Sequence, residues 1–220
     1  AYQQLGAPEN IITTTGNLKF TTAISHSQTL PTNNIPQDRD YVLIASTHQD
    51  EEDKVYSLWS RLKRNELLVI APRHPERGNA IIKQLNNKNI AVRSKAQPVT
   101  EHTEMFLLDT VGELKNYFPR AKIVIMGGSF VPVGGHNILE PAGFNKAVVT
   151  GPYMENFSEE LELMLESDAI IQVESIAALE KELNQLLDDK GYRAMLEKNT
   201  ERLSHNVEQI LEDYTELILR

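Results

Sequence analysis

The 220-residue chain has no cysteine. Disulfides and thiolate metal ligands are excluded together, and the composition suits a reducing compartment. No apolar run approaches the ~20 residues that cross a bilayer, and no secretory leader pattern is visible. The chain opens at Ala1 without methionine, as an excised piece of a longer protein would. Aromatic residues are sparse at 6%, with one tryptophan, Trp59. There is no basic excess: the formal net charge is −9. A global field for nucleic acid is therefore lacking, and an anionic ligand needs a local basic pocket. The 40% apolar content suffices for a packed core, and the length suits one large domain or two small ones.

Special residues concentrate in one window. The stretch Gly127-Gly128-Ser129-Phe130-Val131-Pro132-Val133-Gly134-Gly135-His136-Asn137-Ile138-Leu139-Glu140-Pro141 follows the apolar run Ile123 to Met126, which reads as a buried strand. Glycine lets backbone approach a ligand closely, because no Cβ intervenes. A helix launched from such a loop turns free N–H groups and a positive dipole end toward an anion. The stretch is thus expected to hold a phosphate-bearing ligand and to start a helix over 135–144. The plainer alternative is a glycine-rich connection.

Elsewhere, short apolar strands alternate with amphipathic helices. Strands are expected at 10–15, 41–45, 67–71, 90–93, 105–109, 147–150 and 169–173. Helices are expected at 51–64, 80–86, 112–118, from about 158 to 166, 175–189 and 191–220. Val55, Leu58, Trp59 and Leu62 recur at helical spacing, which places Trp59 in the core. This alternation implies βαβ units: a Rossmann-like parallel sheet with helices on both faces. Neither a strict G-x-G-x-x-G after the first strand nor a P-loop ending in Lys-Ser/Thr is present.

Several strand ends carry polar groups. Ser46, Thr47 and Asp50 are candidate helix caps, leaving His48 for a ligand. Pro72-Arg73-His74-Pro75-Glu76-Arg77-Gly78 puts two arginines and a histidine in a proline-fixed turn. Arg73 can fork two donors onto a phosphate, or the turn is simply solvated. At Asp109-Thr110-Val111-Gly112-Glu113-Leu114 the backbone can meet the edge of a flat ring, while Asp109 and Thr110 can cap a helix. Lys19, beside the turn signal Gly16-Asn17, either reaches an anion or lies on the surface. Parallel strands bring such ends to one edge. A carboxylate at Glu140 suits a ribose diol, so the parts together describe a nucleotide.

The glycine stretch resembles the bacterial Kdo (3-deoxy-D-manno-oct-2-ulosonic acid) transferases. So do Ala71-Pro72-Arg73-His74-Pro75-Glu76-Arg77, Asp109 to Leu114, Ser46-Thr47-His48 and Gly16-Asn17-Leu18-Lys19-Phe20, in the same order. The resemblance implies the C-terminal, donor-binding half of a GT-B glycosyltransferase. Such enzymes move Kdo from CMP-Kdo to a lipid A precursor in lipopolysaccharide assembly, with inversion and without a catalytic metal or cofactor. In a Gram-negative cell this occurs at the cytoplasmic face of the inner membrane.

Carried over residue by residue, the resemblance makes Lys19 a transition-state stabiliser and sets Pro72 and Arg73 against phosphate or sugar. Gly112, Glu113 and Leu114 offer backbone to the cytosine, and Gly128 and Ser129 line the phosphate. Asn137, Ile138, Leu139 and Glu140 form the helix start, with Glu140 on the ribose; His48 and His136 are further candidates. The family's general base, acceptor surface and membrane anchor belong to the N-terminal half, so this chain alone is expected to bind donor and not to transfer sugar. The expected layout is 1–22 as the domain start, 23–40 as loop or linker, 41–205 as the donor-binding domain, and 206–220 as a C-terminal helix directed toward the other half, its apolar stripe partly exposed. The competing readings are a UDP-sugar transferase or epimerase of similar shape and a non-catalytic nucleotide-binding module.

Overall fold

A computed structural model describes residues 3–8, 12, 34–86 and 89–219; of residues 206–208, 210 and 211 only the backbone is described. The expected strand at 10–15 and the Gly16 to Phe20 motif with Lys19 therefore lie outside the described residues.

Seven strands form one sheet: β1 (Tyr41–Thr47), β2 (Leu67–Pro72), β3 (Ile90–Val92), β4 (Met105–Leu107), β5 (Ile123–Met126), β6 (Ala147–Thr150) and β7 (Ile170–Gln172). Their order is β3-β4-β2-β1-β5-β6-β7. Every neighbouring pair is parallel. Strands buried on both faces read as continuous apolar runs, since successive side chains point to opposite sides. In β1, Tyr41, Leu43 and Ala45 enter one core while Val42 and Ile44 enter the other.

The second core is covered by α1 (Glu52–Leu62), α2 (Gly78–Leu85) and α5 (Ile176–Asp188), through Val55, Leu58, Trp59, Ile81, Leu179 and Leu183. Trp59 is 5% exposed, a core residue as its spacing indicates. The first core is closed by α3 (Leu139–Ala142), α4 (Ser158–Glu166) and the segment Tyr117 to Ala121. Helix α6 (Lys190–Leu219) buries Leu196 in one core and Leu203 in the other. It thereby ties the two layers together. Each fully buried Leu of this kind contributes about 1.5–3 kcal/mol of transfer free energy.

Two helix expectations change. The helix proposed for 112–118 is a 3-10 turn, Leu114–Tyr117. The helix proposed for 135–144 shrinks to Leu139–Ala142, because Gly134 and Gly135 take φ of +89° and +78°, a conformation no right-handed helix contains. Helix α6 matches the helix expected over 191–220 and is unbroken at 205/206. Near its end Leu217 is 39% and Ile218 78% exposed. The described part of the 23–40 segment is a loop fixed to the domain. Ile35 is buried in the first core. The Arg120 guanidinium donates to the carbonyls of Ile35 at 2.9 Å and Pro36 at 2.8 Å.

Candidate functional site

The chain leaves β1 for β2 on one side and returns as β5 on the other. At such a switch point the loops after the two strands diverge, opening a crevice beyond the carboxyl ends where open α/β sheets take ligands. Because all strands are parallel, the loops after β1, β2, β4, β5 and β6 share this edge. A cavity of about 480 Å³ lies at the opposite edge, lined by Arg39, Trp59, Arg64, Glu66 and Glu104 among others. Its volume does not make it the site: it joins the segments entering β2 and β4, away from the divergent loops.

Glu51 organises the crevice. Only 1% exposed, its carboxylate accepts three backbone N–H bonds: from His48 at 2.8 Å, Gly128 at 2.7 Å and Phe130 at 2.9 Å. One side chain thus ties the β1 loop to the glycine stretch. Burial pushes its pKa up, and the three donated bonds pull against that rise. No motif in the sequence marks this role. Val55 and Trp59 fix the buried stripe of α1, and extending it backward by four and seven residues reaches Glu51 and Glu52. An acid on a buried stripe was the available signal. The structure also corrects the capping assignments: Glu51 occupies the N-cap position of α1 without a side-chain cap bond, and Thr47 donates to Glu52 at 2.9 Å. Ser46 and Asp50 take left-handed φ of 59° and 70° instead.

Glu52 is equally buried and is gripped by both terminal nitrogens of Arg77, at 2.8 and 3.1 Å. Arg77 is thereby committed. Arg73 is different: it is exposed, its backbone N–H donates to Thr47 at 2.9 Å, and its guanidinium has no hydrogen bond or ion pair with the described residues. The two candidate histidines meet: His48 Nε2 and His136 Nε2 lie 2.8 Å apart, with ring centroids 5.0 Å apart and ring planes 12° from parallel. His74 stands edge-on to His48 at 5.8 Å.

The glycine stretch is compressed against its neighbours. Gly128 has φ of +67°, and a Cβ there would meet the His136 ring at 2.9 Å. Its carbonyl accepts from Gly135 N–H at 2.9 Å, closing the loop. A Cβ on Gly127 would lie 2.7 Å from the Ser46 carbonyl oxygen and from Thr47 Cα. Gly127→Ala must part the β1 and β5 loops and is expected to lower stability by about 1–3 kcal/mol. A urea midpoint equal to wild type would contradict this close approach.

Other assignments shift in kind. The Ser129 hydroxyl faces inward: the residue is fully buried, donating to Met126 O at 2.5 Å and accepting from Gly151 N–H at 2.8 Å. The side chain therefore does not line the crevice. Asn137 accepts from Leu139 N–H at 3.0 Å across the turn that leads into α3, while the Ile138 and Leu139 side chains enter the core. With only four residues, α3 supplies little dipole, so positive charge at this edge comes from Arg73 rather than from a helix start. Glu140 is partly exposed, 3.4 Å from Lys115 Nζ. After β4, Gly112 has φ of +81° with open space around it. Glu113 is paired with Arg93 at 2.7 Å, a bond that holds its pKa below the usual carboxylate range. Asp109 caps nothing there; it accepts from the backbone N–H and hydroxyl of Ser94 at 2.8 and 2.6 Å. Thr110 donates to Glu113. Pro72 ends β2 and is buried.

Burial first, then His48, Arg73 and His74, pulls the His136 pKa from 6.5 down to about 4. Between those values the unfolded chain binds a proton that the folded chain refuses, so stability falls as pH drops through this window. Wild type is expected to lose more stability between pH 8 and pH 5 than His136→Gln. Equal losses in urea titrations at both pH values would contradict the assignment.

No family model matches the chain. It is 33% identical over 205 residues to the 3-deoxy-D-manno-octulosonic acid transferase of Haemophilus influenzae, covering 89% of this chain and 48% of that protein. It is 29% identical to the namesake from Rickettsia bellii, covering 94% and 52%. The chain thus spans about half the length of the curated relatives it matches. Among solved structures it is similar to the C-terminal CMP-Kdo binding domain of WaaA from Acinetobacter baumannii, with TM-score 0.67 and 28% identity, covering 80% of this chain and 90% of that one. A glycosyltransferase from Rickettsia africae, at TM-score 0.57 and 17% identity over 83% of this chain and 48% of that one, shares the fold. The architecture is that of the C-terminal half of a GT-B glycosyltransferase, and the chain is homologous to Kdo transferases over about half of their length.

Proposed function

We propose that this chain is the donor-binding domain of an inverting, metal-independent glycosyltransferase that moves Kdo from CMP-Kdo to a lipid A precursor at the cytoplasmic face of the inner membrane. The observation that carries this reading is the switch-point crevice, where the loops bearing Arg73, Gly128 and Glu140 share one sheet edge. The similar Acinetobacter domain supports it, since it is described as binding CMP-Kdo.

Arg73, beside Pro72, receives the phosphate as a charge-assisted donor. Gly128 and Ser129 approach it through backbone, held in place by Glu51. Gly112, Glu113 and Leu114 meet the cytosine edge with main-chain groups, the Glu113 side chain being occupied by Arg93. Asn137, Ile138 and Leu139 set the entry to α3, from which Glu140 accepts both ribose hydroxyls. Lys115 neutralises Glu140 while no ribose is bound. Lys19 stabilises charge on the leaving phosphate, an electrostatic contribution to the transition state. The base that deprotonates the acceptor hydroxyl, the acceptor surface and the membrane contact lie in the part of such an enzyme that this chain does not cover.

Joining the chain to the upstream half of a Kdo transferase tests the reading. Transfer from CMP-Kdo is expected from the joined protein and not from this chain alone. A joined, folded protein that binds CMP yet transfers no Kdo would overturn the enzymatic role and favour a binding module.

A further inference from the structure

His48 and His136 lie 88 residues apart in sequence, yet their Nε2 atoms meet at 2.8 Å in the crevice. That separation is a hydrogen bond and requires one nitrogen to carry the proton and the other to accept it. At this distance the two rings share one proton between their Nε2 atoms. His136 also fills the volume above Gly128, where a Cβ would strike its ring.

We propose that His48 and His136 act as one proton-accepting unit that takes up a single proton when a phosphodiester anion binds beside Arg73. This rests on the donor-binding reading above. The geometry permits one added charge. A neutral pair already has one proton between the Nε2 atoms. The accepting ring already carries its own proton on Nδ1, so a further proton goes to the donor ring's Nδ1, and the central bond survives. A second would set two N–H groups against each other and break it. The bound anion thereby gains a cation shared by two rings hydrogen-bonded through their Nε2 atoms.

The surrounding charges explain why uptake waits for the ligand. Burial first, then His74, Arg77 and Arg73 from the turn after β2, opposes protonation of His48, whereas Glu52 from α1 favours it. Arg73 and His74 also oppose protonation of His136. Glu51 spends its charge on three backbone N–H groups. Without ligand the cations and burial prevail. An anion on Arg73 cancels one of these cations and brings its own negative charge beside the pair, which shifts the balance toward uptake.

The test uses cytidine 5′-methylphosphate, a diester with no proton of its own near neutral pH. Calorimetry in buffers of different ionisation enthalpy is expected to show uptake approaching one proton per ligand. Affinity should be on the order of tenfold tighter at pH 6 than at pH 8. His48→Gln and His136→Gln should each bind with no uptake and a flat pH profile. A merely structural pair would shift affinity without touching that slope. If a variant fails to fold, imidazole nitrogen shifts of the wild type decide: saturation should convert one of the two rings to imidazolium. Wild-type binding without uptake, unchanged uptake in both variants, or rings that stay neutral would overturn the proposal while leaving donor binding intact. Absence of any binding, at either pH, would overturn the donor-binding reading itself.

Discussion

Glu51→Ala is expected to lower stability by about 3–5 kcal/mol and to abolish measurable CMP binding. The argument is an accounting of donors. Three backbone N–H groups, on His48, Gly128 and Phe130, share this carboxylate as acceptor. Each buried N–H left without an acceptor costs about 1–3 kcal/mol, and relief of the carboxylate's own burial offsets part of the sum. The loss also unties the β1 loop from the glycine stretch, so a Gly128 backbone placed for a phosphate would no longer be held. Glu51→Gln should fall between. Its amide oxygen can keep the His48 and Gly128 bonds, while its NH2 then faces the Phe130 N–H. Urea denaturation and calorimetry read both effects. A wild-type urea midpoint for Glu51→Ala would remove the carboxylate from its organising position.

Glu140→Ala should behave in the opposite way, with an unchanged fold and lost ligand. Its visible partner is Lys115, whose side chain is 65% exposed, at 3.4 Å. An exposed pair of this kind contributes at most about 1 kcal/mol. A charged acceptor facing a ribose diol is a different matter. Hydrogen bonds to charged groups contribute about 1.5–3 kcal/mol, so CMP affinity should fall on the order of 10- to 100-fold. The 2′-hydroxyl gives an internal control. Wild type should prefer CMP to 2′-deoxy-CMP, and Glu140→Ala should not distinguish them. Unchanged CMP affinity in the variant would refute the ribose role.

Two strands, β5 and β6, were legible to the residue. Ile123–Met126 and Ala147–Thr150 are continuous apolar runs between polar turns, as buried parallel strands must be. At β4 the same rule overshot. Leu108 is apolar and buried, and its N–H still donates to Ile70 O at 2.8 Å, but the strand has ended at Leu107. The candidate loops were legible because a parallel sheet sends every strand end to one edge. Which side chains face the crevice was not. Ser129 and Asp109 are polar residues in the right loops, yet both are turned to neighbouring backbone and hydroxyl groups. Nothing local to either residue states that orientation.

The glycine stretch shows a second limit. Four glycines before Asn137 suggested an early helix start. The positive φ values at Gly134 and Gly135 instead delay it to Leu139, and with the delay goes the dipole argument for anion binding. Arg73 then matters more than the sequence indicated, because Arg77 beside it is committed to Glu52. The contact between His48 and His136 is purely tertiary, so no spacing along the chain encodes it.

A direct titration of the chain with CMP and with UDP, at the same pH and ionic strength, tests the central claim most closely. The crevice described here should bind CMP in preference, through Arg73 on the phosphate, Glu140 on the ribose and the Gly112 to Leu114 backbone on the cytosine. Preferential binding of UDP, or equal binding of the two, would contradict the assignment of this edge to a CMP-linked donor.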